Sequence, residues 1–160
     1  MSGLDTSLDT SLDITTEVLT PAQASVQPAE QPVVQPPIDA PTTKRVLIVD
    51  DNADLLTIFT IAMEMTPFTI DTAVDGLDAM EKIQAAKPDV IILDVNMPRM
   101  DGFEVLSTLR ATPEYEGIKI ILLTGNSTVP TYPETSKADL VLSKPVSVEE
   151  LIHLVHRLAK

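Results

Sequence analysis

The chain contains no cysteine and no tryptophan, and aromatic residues make up only 3% of its 160 positions. Without cysteine there can be no disulfide and no thiolate chemistry. With so few rings, the core must be assembled from Val, Ile, Leu, Ala and Met, and recognition by stacking bases on aromatic faces is disfavoured. Positive charge is scarce as well: 11 Lys and Arg stand against 24 Asp and Glu, a formal charge of -13. Phosphate backbones and anionic membranes are bound through clustered cations, so neither nucleic acid nor a membrane is an expected partner. The chain opens with no basic segment leading into an apolar one, and no long uncharged apolar run follows. These absences describe a soluble, cytoplasmic protein.

What is present falls into two unlike parts. Residues 1–43 hold six of the 13 prolines, six acidic residues and no Lys or Arg, and they open with a near repeat, Leu4-Asp5-Thr6-Ser7 then Leu8-Asp9-Thr10-Ser11. Such a composition cannot bury enough apolar surface to offset the entropy of ordering, so this segment is expected to be a disordered tail. Leu8, Leu12, Ile14, Val18 and Leu19 would form an apolar stripe if the start of the tail became helical on a partner, which makes a docking peptide the alternative.

Residues 44–160 alternate short apolar runs with amphipathic stretches, the signature of β-α units in a parallel sheet. Val46 to Val49, Val90 to Leu93 and Ile118 to Leu123 are too short for helices and lack polar alternation, so they predict central strands covered on both faces. Phe68 to Ala73 and Leu140 to Leu142 predict strands nearer the edges. Helices are predicted over Ala53 to Met65, Leu77 to Ala86, Phe103 to Arg110 and Val148 to Ala159, the last with Ser147 as N-cap. The expected fold is α/β, a doubly wound five-stranded parallel sheet of flavodoxin-like (β/α)5 topology.

In such a sheet ligands bind beyond the carboxyl ends of the strands. There stand Asp50 and Asp51 after the first predicted strand, Asp94 after the third, Thr124 after the fourth and Lys144 with Pro145 after the fifth. Three carboxylates brought together repel one another unless a cation neutralises them, and hard oxygen ligands suit Mg²⁺ or Mn²⁺. A lysine ammonium and a threonine hydroxyl beside them complete a set able to hold a phosphoryl group. Singly, each of these residues is an ordinary turn aspartate, helix cap or surface cation. Jointly, at one sheet edge, they are not. His153 and His156 lie three apart with no partner at ligand spacing and are read as surface or packing residues, while Met63, Met65, Met97 and Met100 are read as core or loop fillers.

The segments Val-Leu-Ile-Val-Asp50-Asp51-Asn52, Ile-Ile-Leu-Asp94-Val-Asn96-Met97-Pro98-Arg99-Met100-Asp101-Gly102, Leu-Leu-Thr124-Gly125 and Leu-Ser-Lys144-Pro145 resemble receiver domains of two-component response regulators, in that family's order and at close to its spacing. The resemblance covers everything after the tail. It implies that Asp94 accepts a phosphoryl group, that Asp51 and the backbone carbonyl of Asn96 hold Mg²⁺ beside it, and that Asp50 reaches the ion through water. It further implies that Thr124 and Lys144 receive the phosphoryl oxygens and that Lys144-Pro145 is a cis peptide. The expected donor is a histidine kinase or a histidine phosphotransfer protein. The expected output is a phosphorylation-dependent target protein, because no second folded domain follows Lys160 in this sequence. Apart from its own phosphorylation and dephosphorylation, no enzymatic activity is expected. Asn96 stands where a phosphatase of similar topology would want a second acid, and no Gly- or Ser/Thr-rich phosphate loop follows the first strand as flavin binding would require.

Two departures from the family pattern bear on output. Val141 occupies the fifth-strand position where receivers usually carry a mobile aromatic ring, so that switch is absent or moved to another group, with Tyr132 the candidate. Pro130 and Pro133 interrupt the stretch between Thr124 and Lys144, so the fourth helix should be short, irregular or replaced by a loop. An adaptor that keeps the fold without using phosphate is therefore the alternative function.

Overall fold

The computed structural model describes residues 43–125 and 132–160. The predicted tail, except Thr43, and Pro130 lie outside them. Five strands form one sheet: β1 (Arg45–Val49), β2 (Thr69–Ala73), β3 (Val90–Asp94), β4 (Lys119–Thr124) and β5 (Leu140–Ser143). All neighbours are parallel and the order is β2-β1-β3-β4-β5, so β1, β3 and β4 are central as their unbroken apolar runs predict. Every residue of β3 is buried, whereas β2 and β5 are only half-buried. Alternate residues feed two cores. Leu47, Ile91 and Ile120 point to one face, and Ile48, Ile92 and Ile121 to the other. Burying one such side chain on either face contributes about 2 kcal/mol, which explains why no polar residue interrupts these strands.

Four α-helices are described: α1 (Ala53–Met63), α2 (Gly76–Ala85), α3 (Gly102–Ala111) and α4 (Val148–Leu158). Each begins at a side chain that accepts otherwise orphaned backbone N–H groups. Asn52 accepts from Asp54 and Leu55, Asp75 from Leu77 and Asp78, and Ser147 from Glu150. Asp101 and Glu104 cap each other's backbone at the start of α3. Helix α1 stops at Met63, two residues short of the expected end, because the Thr66 amide and hydroxyl turn back onto the Met63 carbonyl. Met63 is core, but Met65 is 89% exposed. Helices α2 and α3 pack on one core; α1 and α4 pack on the other.

Between β4 and β5 the described residues contain no α-helix, only a 3-10 turn over Pro133–Lys137. Pro133 stands at its first position, where a missing N–H costs no bond. Arg110 of α3 ties its far end, donating from Nε to the Lys137 carbonyl at 2.9 Å and from Nη2 to Asp139 at 2.9 Å. His153 and His156 are both exposed on α4, and the His156 ring tilts against Phe68 at 4.7 Å.

Candidate functional site

The carboxyl ends of β1, β3, β4 and β5 bring Asp50, Asp94, Thr124 and Lys144 to one edge, as expected from their positions after the apolar runs. Asp50, Asp94 and Thr124 are buried, at 1%, 3% and 0% exposure. Asp51 and Asn96 are exposed beside them. One oxygen of Asp50 accepts the Asn52 amide at 2.8 Å, which holds the turn into α1. Its other oxygen accepts from Lys144 Nζ at 2.8 Å, and the same ammonium lies 3.0 Å from Asp94 Oδ1. The Lys144 amide bonds the Thr124 carbonyl at 2.7 Å, which places the lysine at this edge, and the peptide to Pro145 is cis.

Charge explains the arrangement. Burial pushes the Asp94 carboxyl above its usual range; Lys144 opposes that, while the charges of Asp50 and Asp51 add to it. Burial alone would depress Lys144, but its bonds to Asp50 and Asp94 outweigh burial and hold its ammonium above the ordinary lysine value. One ammonium therefore serves two buried carboxylates, and the site remains short of positive charge. Carboxylate oxygens of Asp50, Asp51 and Asp94 lie within 4.8 Å of one another, the one such acidic group among the described residues. A small hard cation with water completing its shell fits that donor set.

The loop from Val95 to Asp101 carries Asn96 past this edge. Its inner end is closed by the Gly102 amide on the Val95 carbonyl at 3.0 Å. Gly102 does not serve an unusual backbone conformation, since no described glycine has positive φ. It is needed for closeness instead, since a Cβ there would collide with the Asp94 carbonyl oxygen and lie 2.9 Å from Val95 Cα. The residue that does adopt positive φ is Arg99, at 69°. Its guanidinium pairs with buried Asp75, the cap of α2. Sequence reading passed over both, because an Asp before a helix and an Arg in a loop carry no signal until the fold brings them together.

A family profile for the response regulator receiver domain matches residues 46–156. The chain belongs to that family. As a receiver it is similar to the transcriptional regulatory protein PrrA of Mycobacterium tuberculosis, 35% identical over 121 residues that cover 74% of this chain and 51% of that protein. It is also similar to RpaA of Synechocystis, a DNA-binding dual master transcriptional regulator, 32% identical over 72% of this chain and 49% of that one. The chain thus spans about half the length of these curated relatives. Among solved structures, the chemotaxis response regulator CheY4 of Vibrio cholerae superposes with a TM-score of 0.68 at 34% identity, over 73% of this chain and 99% of that one. The response regulator TrrA of Thermotoga maritima, solved in complex with Mg²⁺-BeF, gives 0.66 at 32% identity over 72% and 99%. No helix among the described residues is long and apolar enough to cross a membrane.

Proposed function

We propose that this receiver takes a phosphoryl group from a phosphohistidine donor onto Asp94, with Mg²⁺ bound, and signals in the cytoplasm through a protein partner. The observation that carries this is the Asp94 carboxylate, buried at the end of β3 with an ammonium 3.0 Å away and two further carboxylates beside it. The likeness to a receiver solved with Mg²⁺-BeF supports it.

Phosphoryl transfer asks a protein chiefly for position and for neutralisation of charge on the transferring oxygens. Asp94 supplies the nucleophile: its carboxylate oxygen bonds to phosphorus as the donor's P–N bond breaks and the imidazole departs. Lys144 is placed to move from the Asp94 oxygen to a phosphoryl oxygen, remaining tied to Asp50. Thr124, buried at the end of β4, has a hydroxyl able to donate to another phosphoryl oxygen. Asp50, Asp51, Asp94 and the Asn96 carbonyl would hold Mg²⁺, which when bound favours the ionised form of Asp94 and offsets charge on the phosphoryl oxygens. The acyl phosphate is reactive enough for water to remove it, so the mark is transient.

The test is incubation with acetyl phosphate, with and without Mg²⁺, followed by intact mass, beside Asp94→Asn. A Mg²⁺-dependent adduct absent from the variant is expected. The alternative, a phosphate-independent adaptor, draws on Val141, a half-buried aliphatic of β5 with no ring to swing. An unlabelled protein with its fold intact would favour that alternative.

A further inference from the structure

Arg99 is the single described non-glycine residue with positive φ. In that region a Cβ crowds the following carbonyl, so glycine would be the less costly occupant. What Arg99 has and glycine lacks is reach. Its guanidinium crosses from the β3–α3 loop to one oxygen of Asp75, whose side chain is only 4% exposed. The other Asp75 oxygen is committed to α2, accepting the Leu77 and Asp78 amides at 2.9 and 3.0 Å. Those bonds, with the Arg99 charge, hold the Asp75 carboxyl below its ordinary value despite burial.

The neighbouring backbone shows how closely the two elements meet. A Cβ built on Gly76 would sit 2.5 Å from the Met100 carbonyl oxygen and 2.8 Å from Val105. Within the loop, the Met100 amide bonds the Pro98 carbonyl at 2.8 Å. The segment bearing Asn96 is thus closed at its inner end by Gly102 on Val95 and at its outer end by Arg99 on the cap of α2. Without the outer tie, the exposed residues Asn96, Pro98 and Arg99 would be held only through the packing of Met97 and Met100 beside them.

We propose that Arg99 is a positioning residue: its ion pair with Asp75 holds the β3–α3 loop in the shape in which the Asn96 carbonyl serves the metal position beside Asp94. This rests on the proposed function, and it assigns to α2 a part in metal binding although α2 contributes no ligand. Groups that orient ligands from outside their shell act through just such restraint.

The experiment measures Mg²⁺ affinity by amide shifts, melting temperature, and labelling by acetyl phosphate. It compares the wild-type protein with Arg99→Gly, Arg99→Lys, Asp75→Asn and the Arg99→Gly/Asp75→Asn double variant. Asparagine at 75 keeps the cap and removes the charge. Arg99→Gly gains a backbone that glycine suits and loses the counter-charge of Asp75, so its melting temperature is recorded separately, and it is expected to bind Mg²⁺ about three- to tenfold more weakly. In Mg²⁺-free protein its Met100 and Gly102 amides should exchange faster. Asp75→Asn should match that loss of affinity, the double variant should be no worse than the singles, and Arg99→Lys should recover part of it. Wild-type affinity in Arg99→Gly would overturn the inference. So would a defect confined to Asp75→Asn, or losses that multiply in the double variant. A wild-type protein that neither binds Mg²⁺ nor labels would instead defeat the proposed function, and this inference with it.

Discussion

Two connections leave the same edge of the sheet and are held very differently. From β3 to α3 the chain is fixed at every step: Gly102 presses against the Asp94 backbone, a capping box starts the helix, and Arg99 ties the loop to α2. From β4 to β5 the described residues show a 3-10 turn, the Arg110 bonds at its far end, and the Tyr132 ring tilted against Phe103 at 5.8 Å. The first connection carries groups proposed to react and must hold them within a fraction of an ångström. The second carries no such group in its turn, and among its described residues a 3-10 turn suffices.

The largest effect should come from breaking the tight connection at its closest point. Gly102→Ala puts a methyl against the Asp94 carbonyl and Val95, and a cost of about 2–3 kcal/mol is expected in urea unfolding. A loss of only a few tenths would show that the loop can move aside. Next comes charge. The Asp94 pKa in the folded protein lies above the ordinary 3.8, so the folded state holds this proton more tightly than the unfolded chain does. Stability from this group therefore falls as pH rises through 3.8 to the folded value, and the full penalty stands above it. Asp94→Asn removes the penalty. In Mg²⁺-free buffer the variant should melt higher than wild type at neutral pH, and the gain should vanish below pH 3.8. Equal melting at neutral pH would mean that Lys144 compensates burial completely.

A smaller loss, about 1 kcal/mol, is expected for Asn52→Ala, which removes the cap of α1 beside the site. The smallest belongs to the looser connection: Tyr132→Ala should cost about 0.5–1 kcal/mol through the lost ring contact, with acetyl phosphate labelling unchanged. Labelling that dropped together with stability would show that the two connections are coupled after all.

Much of this was legible in the chain. Unbroken aliphatic runs placed the central strands, because a strand covered on both faces is apolar along its length, with polar residues at its ends. The same runs marked where the chemistry stands, because in an open parallel sheet ligands meet the strand ends. Asp50, Asp51, Asp94, Thr124 and Lys144 were placed at one sheet edge that way, and the irregular stretch expected around Pro133 is a 3-10 turn among the described residues. Less legible were α1's early stop and the burial of Met63 but not Met65, since helix periodicity does not say where a hydroxyl will turn the chain back. The reason for Gly102 was not legible either: sequence shows that a side chain is absent but not whether conformation or a neighbour demands it.

The sequence by itself determined the strands, their central or edge rank and the chemical types at the strand ends, all of which follow from local periodicity and from the geometry of parallel sheets. Tertiary structure alone decided the pairings. Lys144 meets Asp50 across 94 residues and Arg99 meets Asp75 across 24, distances in sequence over which no pattern of residue types specifies a partner. Strand order brings such groups within reach, and burial then decides which charges must share a counter-ion.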